Sequence, residues 1–272
     1  MHETVAILGA GAMGELLAAG LHRAGWEREA LVLAARRPER QLEVEERRGL
    51  RTVLDAAEAA RGRRVVVVAV KPPDVPALIR QIKGVITADQ VVLSLAAGVP
   101  IRAFERSFGE VPVVRAMPNT PALFDEAITA YCPGRYAGPE AVRSATAVLS
   151  SVGHTIALAE SLLDAVTAVS GTGPAYLFLL AEALIEAAIR EGIPRHAAER
   201  LVKQTARGAG MLLAGLEASP EHLRAQVTSP GGTTAAAVHV LEERGFRALV
   251  EDAVQAAAER SRELGRRAEE LL

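Results

Sequence analysis

Three glycines near the start of the chain have a spacing that suits phosphate binding. They belong to a run that fits the pattern G-x-G-x-x-G, namely Gly9, Ala10, Gly11, Ala12, Met13 and Gly14. The first glycine of such a run allows a tight turn, the second lets the backbone approach a pyrophosphate, and the third allows a helix to pack closely on a strand. An apolar run, Thr4 to Leu8, precedes the glycines, and an amphipathic run follows them. This context predicts a dinucleotide site, and the alternative is a glycine turn without a ligand.

Two arginines follow the next expected strand, at the position that distinguishes NAD from NADP. A site for NAD carries an acidic residue about 20 positions after the glycines, which accepts a hydrogen bond from the ribose 2′-hydroxyl. Here that position holds Ala34 and Ala35, followed by Arg36, Arg37 and Pro38. The planar donor fork of a guanidinium suits a 2′-phosphate. We therefore expect NADPH as the cofactor and NADH as a weaker substitute, and the alternative is a solvated basic turn.

Two further turns stand at the carboxyl ends of expected strands. The first contains Ala69, Val70, Lys71 and Pro72, and the second contains residues 96–98. Ligands of open α/β sheets collect at this edge, so we expect both turns to face the cofactor. A solvated loop lysine is an equally good interpretation of Lys71.

A loop near the C-terminus combines hydroxyl groups with glycines. It reads Ser229-Pro230-Gly231-Gly232-Thr233-Thr234, and a helical run follows it. The glycines let backbone N–H groups surround an anion, and a helix N-terminus adds partial positive charge. This composition is compatible with an anion site, and the alternative is an ordinary capped helix start. A second glycine-rich loop, at residues 170–176, opens the first long helix of this half.

The elements that must position these residues change in kind along the chain. Up to about residue 160, β-branched runs alternate with amphipathic runs, which is typical of a parallel sheet covered by helices. The expected strands are Thr4 to Leu8, Leu31 to Ala35, Val65 to Val70, Val91 to Leu95, Val111 to Arg115, Ala127 to Tyr131 and Thr155 to Leu158. After Glu160 only helical runs follow, the last of them from Phe246 to Leu272. We therefore expect an α/β fold with a Rossmann-type doubly wound parallel sheet at 1–160 and an all-α domain at 161–272.

Composition excludes several other classes of protein. The net charge of −2 favours neither nucleic acid nor a membrane surface as a partner. No apolar run reaches the roughly 18 residues of a membrane span, and the first residues lead into a strand without a leader. The single cysteine, Cys132, rules out an internal disulfide and fits a reducing compartment, so we expect a cytoplasmic protein. We interpret Cys132 as a strand residue rather than a nucleophile, and we expect no metal site.

Seven short motifs occur in the same order as in a known family. They are GAGAMG at 9–14, AVKP at 69–72, AAG at 96–98, MPNTPA at 117–122, SGTGPAY at 170–176, SPGGTT at 229–234 and GFR at 245–247. Each is modest evidence alone, but the ordered set extends along essentially the whole chain. In this set the sequence resembles the pyrroline-5-carboxylate reductases.

The resemblance implies an enzyme that reduces 1-pyrroline-5-carboxylate to L-proline with NADPH, the last step of proline biosynthesis. It also implies a helical domain that interlocks with that of a partner in a homodimer, and dimers of the family often assemble further into decamers. The substrate carboxylate would be bound by Ser229, Gly231, Gly232, Thr233 and Thr234. The Thr234 hydroxyl would bind the ring nitrogen, and Ser229 and Thr234 are the expected catalytic residues. Glu160 is a weaker candidate for the substrate site.

The same resemblance implies cofactor contacts beyond the glycines and arginines already described. These are made by residues 36–38 and 69–72, Ala97, Asn119 and Gln226. Two positions depart from the family pattern. Many members have an asparagine that touches the adenosine, and this chain has Asp55 and Ala56 at that place, so the resemblance does not extend to this contact. Thr233 stands where alanine is frequent in the family.

Two rival functions fit parts of the sequence. A 3-hydroxyacid dehydrogenase or a ketopantoate reductase needs a catalytic lysine in its second domain, and Lys203 is the only lysine there. Neither rival explains the loop at 229–234. A non-catalytic NADP-binding protein that uses its helical domain for partners would bind the cofactor without turnover.

Overall fold

The computed structural model describes residues 3–271, so Met1, His2 and the end of the last expected helix at Leu272 lie outside the described residues. The eight strands are β1 (Val5–Leu8), β2 (Leu31–Ala34), β3 (Thr52–Val53), β4 (Val65–Val68), β5 (Val91–Ser94), β6 (Val113–Met117), β7 (Ala127–Pro133) and β8 (Gly153–Ala157). The helices that accompany the sheet are α1 (Ala12–Arg23), α2 (Pro38–Arg48), α3 (Ala56–Ala60), α4 (Val75–Ile82), α5 (Ile101–Phe108), α6 (Pro139–Leu149) and α7 (Leu163–Val166). The remaining helices are α8 (Gly173–Arg190), α9 (Arg195–Gly215), α10 (Pro220–Gln226), α11 (Thr233–Glu243) and α12 (Phe246–Glu270).

The strands form one sheet in the order β3-β2-β1-β4-β5-β6-β7-β8. Chain order runs outward from β1 in both directions, which is the doubly wound arrangement expected from the sequence. Every neighbouring pair is parallel except β6 and β7, which run antiparallel. That pair is joined by a short turn at Thr120–Phe124, which is too short for the crossover that parallel strands need.

Apolar side chains cover both faces of the sheet. The four valines of β4 are fully buried because helices lie on both sides of this central strand. Val65 and Val67 belong to the core cluster on one face, and Val66 and Val68 belong to the cluster on the other. The continuous run of valines in the sequence is the pattern that such two-sided burial produces.

The described residues fold into two compact units. Residues 3–172 and 255–271 form the first unit, and residues 173–254 form the second. The last part of α12 joins the first unit because its side chains bind there. Ser261 Oγ donates to Asp164 Oδ1 at 2.7 Å, and Ala268 belongs to the core of the sheet.

The helices of the second unit expose most of their surface in a single copy of the chain. Helix α8 has no buried residue, and Leu177, Phe178 and Leu179 are between 63 and 68 % exposed. The helical stretch Glu160–Arg190 is long and apolar enough to cross a membrane by length and composition. The stretch is not an uninterrupted apolar run, because polar residues and glycines separate its apolar residues.

Candidate functional site

The glycine loop after β1 is built as its spacing predicts. Gly9 has a φ of +122°, and a Cβ there would lie 2.8 Å from the carbonyl carbon of Ala69. A Cβ at Gly14 would collide with the carbonyl oxygen of Gly9, so only glycine lets α1 start this close to the strand. Open space surrounds Gly11, where a Cβ would have no neighbour within 4 Å. The loop therefore leaves room for a phosphate group at the start of α1.

A cleft of about 580 Å³ opens beside this loop, within the size range of cofactor sites. Half of the expected cofactor residues line it: Gly9, Ala10, Gly11, Arg36, Arg37, Ala69, Val70 and Lys71. Three of these residues are cationic and face a space bounded by the N-terminus of α1. The residues present therefore fit an anionic dinucleotide. Among residues 3–271, no group of three His, Cys, Asp or Glu side chains is placed to hold a metal ion.

A smaller, more apolar cavity adjoins the cleft. Its volume is about 100 Å³, and it is lined by Leu54, Ala56 and Leu78 among others. Gly9, Ala35, Arg36, Val70 and Asp74 line both spaces. An apolar wall beside a cationic cleft suits an adenine ring beside its phosphates. Ala56 takes part in this wall although it departs from the family pattern.

Arg40 also lines the cleft, and sequence reasoning missed it. Its Nε donates to the carbonyl oxygen of Ala10 at 2.8 Å, and its Nη2 pairs with Glu15. The Glu15 side chain is 6 % exposed and also accepts a hydrogen bond from Arg48 Nε at 3.1 Å. Arg40 thus joins α2 to the glycine loop. The only sign of this ion pair in the sequence is Glu15 in the first turn of α1. A glutamate at that position is also common when it faces solvent, so it does not indicate a buried partner.

The two arginines at the end of β2 have different surroundings. Arg36 Nη1 donates to Asp74 Oδ1 at 2.6 Å. Arg37 is the N-cap residue of α2, and Pro38 occupies its first turn, which a fixed φ suits. Lys71 is exposed and precedes the 3₁₀ turn Pro72–Asp74. The expected cofactor residues Pro38 and Pro72 therefore shape turns beside the cleft without lining it.

Asn119 and Glu160, which the family resemblance assigns to the site, both form hydrogen bonds with other residues of the first unit. Asn119 is 8 % exposed; its Nδ2 donates to the carbonyl oxygen of Ser170 at 3.2 Å, and its Oδ1 accepts from Ile128 N at 3.1 Å. Glu160 Oε1 accepts from Ile101 N at 2.7 Å and pairs with Arg115 at 3.3 Å. Glu160 thereby caps the N-terminus of α5. Its carboxylate has structural partners, and its part in substrate binding stays a prediction.

The turn after β5, which contains Ala97, contacts α12. Gly98 has a φ of +77°, and a Cβ there would lie 2.9 Å from Gly265 N. Ala96 and Gly98 are buried, whereas Ala97 is partly exposed. This contact between two backbones gives the turn a fixed position at the carboxyl edge of the sheet.

The loop at 229–234 lies in the second unit, as does Gln226. Gly232 is the N-cap residue of α11, no side chain caps this helix, and Thr233 and Thr234 occupy its first turn. Gly232 N donates to the carbonyl oxygen of Ser229 at 3.0 Å, and Gly231 has a φ of +68°. The loop is thus a tight turn that presents the start of an 11-residue helix. The N-cap position of α11 is occupied by Gly232, and Thr234 is the second residue of the helix.

Two alternative reactive residues have unsuitable surroundings. Cys132 lies in β7, as expected, and burial, with the nearby Glu160 charge, raises the pKa of its thiol. A raised pKa disfavours the thiolate that a nucleophile requires. Lys203 is 74 % exposed, and its Nζ lies 3.9 Å from Glu199 on the next turn of α9. Neither side chain has the environment of a catalytic group.

Comparisons with known proteins agree with this geometry. The family model for pyrroline-5-carboxylate reductase dimerisation matches residues 160–264, and the model for NADP oxidoreductase, coenzyme F420-dependent, matches residues 4–98. A pyrroline-5-carboxylate reductase from Corynebacterium melassecola is 41 % identical, with 97 % of this chain and 99 % of that protein covered. The structure of the enzyme from Coxiella burnetii has a TM-score of 0.89 at 34 % identity, covering 97 % of this chain and 99 % of that one. The Plasmodium falciparum structure, with NADP bound, has a TM-score of 0.87 at 29 % identity, covering 97 % and 98 %.

Proposed function

This chain belongs to the pyrroline-5-carboxylate reductase family, and from that premise we propose that it reduces 1-pyrroline-5-carboxylate to L-proline with NADPH. The observation that carries the proposal is relatedness over nearly the whole of both chains, at 41 % identity over 267 residues. A dinucleotide cleft lined by four cationic side chains supports the choice of cofactor. The reaction is the last step of proline biosynthesis.

The first unit binds and orients the cofactor. The N-terminus of α1 and the backbone of the glycine loop attract the pyrophosphate. Arg36 and Arg37 bind the 2′-phosphate, and Arg40 holds the loop through the Ala10 carbonyl oxygen. When bound, NADPH supplies the hydride that passes from C4 of the nicotinamide to the imine carbon. The protein then has little covalent work and acts by holding two rings at reacting distance.

The loop at 229–234 binds the substrate. The amides of Gly231 and Gly232 and the Ser229 hydroxyl hold its carboxylate, with Thr233 beside them. The N-terminus of α11 adds partial positive charge at the same place. The Thr234 hydroxyl orients the ring nitrogen, whose proton comes from solvent or from the substrate. Asn119 and Ala97 complete the cofactor contacts of the first unit, Gln226 belongs to the proposed cofactor set by resemblance, and Glu160 belongs to the proposed substrate set.

The working form of the protein is a homodimer. The helical unit matches the family's dimerisation model, and α8 buries no residue in a single copy. An apolar surface of this extent is stable in water only when another surface covers it. A partner's helices cover it better than a membrane does, because the candidate membrane span lies inside the matched dimerisation region. Dimers assemble further into decamers, and the enzyme acts in the cytoplasm.

One assay tests the proposed function. The protein is mixed with NADPH and 1-pyrroline-5-carboxylate, and absorbance at the nicotinamide band is followed while proline is measured. We expect equal amounts of NADPH consumed and proline formed. Binding of NADPH without turnover would support the non-catalytic alternative. Turnover with a 2-ketopantoate or 3-hydroxyacid substrate instead would support the rival reductases.

Substitutions at Thr234 and Ser229 test the substrate loop. Thr234→Ala should lower kcat about ten- to a hundredfold, which equals about 1.4–2.7 kcal/mol of transition-state stabilisation. Thr234→Ser keeps the hydroxyl and should keep most of the activity. Ser229→Ala should mainly raise KM for the substrate, since a carboxylate contact is present in ground and transition states alike. Normal kcat in folded Thr234→Ala enzyme would contradict this assignment.

A further inference from the structure

An ion pair crosses the nucleotide cleft of the first unit. Arg36 follows β2 and Asp74 follows β4, and β1 lies between these two strands in the sheet. Arg36 Nη1 and Asp74 Oδ1 are 2.6 Å apart, so the pair passes over the carboxyl end of β1, where the glycine loop begins. Both residues line the large cleft and the small apolar cavity. The pair therefore stands between the space that suits phosphates and the space that suits an adenine ring.

We propose that Asp74 is a specificity-determining residue, which holds Arg36 across the cleft and competes with the 2′-phosphate of NADPH for it. The proposal rests on the proposed function in taking NADPH as the cofactor. The two arginines that the sequence predicts lie on one wall of the cleft, and Asp74 is a further residue on the opposite wall. Asp74 weakens the binding of NADPH relative to NADH.

The charges around the cleft support a competition at Arg36 in particular. The other carboxylate that lines the cleft, Glu43, pairs with Arg40 at 2.6 Å and with Arg47 at 3.1 Å, away from Arg36. Arg40 is also held by the buried Glu15 and by the Ala10 carbonyl oxygen. The Arg36 side chain is 76 % exposed, and that of Asp74 is 37 % exposed. An ion pair this exposed exchanges partners easily, because its net stabilisation is small.

The two cofactors respond differently to Asp74 for a simple electrostatic reason. The 2′-phosphate of NADPH must displace the Asp74 carboxylate from Arg36 and then sits near a like charge. NADH has a neutral hydroxyl at the same position, so it needs no displacement and meets no repulsion. Removing the charge of Asp74 should therefore strengthen NADPH binding and leave NADH binding nearly unchanged.

The test measures binding without turnover. The dissociation constants of NADPH and NADH are measured by nicotinamide fluorescence, without substrate, for the wild-type protein, Asp74→Asn and Asp74→Glu. For Asp74→Asn we expect the ratio Kd(NADH)/Kd(NADPH) to rise about three- to tenfold. Asp74→Glu keeps the charge and should keep a ratio near that of the wild type. The matched control is Asp89→Asn, which removes one charge from an exposed residue at the amino end of β5, the opposite edge of the sheet.

The outcomes separate the inference from the proposed function. An unchanged or lower ratio in Asp74→Asn overturns the inference, as does an equal rise in Asp89→Asn. Convergence of the wild-type and Asp74→Asn ratios at about 0.5 M salt supports it, because screening weakens the repulsion between Asp74 and the 2′-phosphate in the wild-type protein. Failure of the wild-type protein to reduce 1-pyrroline-5-carboxylate overturns the proposed function, and the binding ratio still decides the role of Asp74.

Discussion

Helix α12 crosses the turn after β5 at two glycines, and Gly265→Ala tests how close this crossing is. A Cβ at Gly265 would lie 2.8 Å from the carbonyl carbon of Gly98 and closer still to its oxygen. Ordinary contacts between such atoms are about 3.5–4.0 Å. The helix would therefore have to move back by on the order of 1 Å. Gly265 has no positive φ, so the substitution introduces a collision without backbone strain.

The expected loss of stability follows from what the crossing holds in place. Forced overpacking costs about 1–3 kcal/mol. Stretching the 2.7 Å hydrogen bond between Ser261 and Asp164 costs about 1 kcal/mol more. Alanine has a higher helix propensity than glycine, which offsets about 1 kcal/mol of this loss. The net loss in the free energy of unfolding is therefore about 1–3 kcal/mol, which lowers Tm by roughly 2–12 °C for a chain of this size.

Thermal unfolding at one fixed protein concentration measures this loss, since assembly makes Tm depend on concentration. Gly84→Ala is the matched control, because a Cβ there has no neighbour within 4 Å and the φ is not positive. The control should melt within about 2 °C of the wild type. Because the turn at 96–98 is expected to face the cofactor, Gly265→Ala should also bind NADPH more weakly. A Tm equal to that of the wild type would refute the close crossing.

Three further predictions concern the cofactor, the assembly and acid stability. Changing Arg36 and Arg37 together to Ala should raise KM for NADPH much more than KM for NADH, and equal losses would contradict their role. Light scattering at micromolar concentration should give at least twice the chain mass of 28.7 kDa, and a monomer mass would contradict the dimer. The hydrogen bond from Arg102 and its positive charge hold the pKa of Glu269 below its ordinary value of 4.5. Its stabilisation is thus present above that value and lost as pH falls through the lower folded pKa. Urea unfolding of Glu269→Gln should show a loss of up to about 1 kcal/mol at pH 7, and this loss should become smaller as the pH falls below 4.5.

The elements around the glycine loop could be predicted because local patterns determine them. Gly9 and Gly14 occupy positions where any side chain would collide with the backbone, so their spacing alone indicates the turn. Helix α2 was not expected, since its sequence is strongly charged and only Val44 is buried. The antiparallel pair of β6 and β7 was missed because β propensity does not depend on strand direction.

Long-range pairings account for what the sequence could not predict in the site. Arg40 and Glu15 are 25 positions apart, and Arg36 and Asp74 are 38 apart. Charged residues are frequent throughout this chain, so no local pattern distinguishes these partners from solvated ones. Glu160 illustrates the same limit: its hydrogen bond to Ile101 N and its ion pair with Arg115 join residues 59 and 45 positions apart, and no local pattern indicated either.

The exposed helices of the second unit link folding to assembly. Helices gain most of their stability from packing an apolar face, and α8, although it contacts α9, buries none of its residues completely in one copy. Further burial of this helix must therefore come from another copy of the chain in the homo-oligomer. The loop at 229–234 opens α11 in the same unit, so the proposed substrate loop depends on the same source of stability. Substitutions in the exposed leucines at 177–180 should thus reduce activity through assembly, although these residues lie far along the chain from the loop.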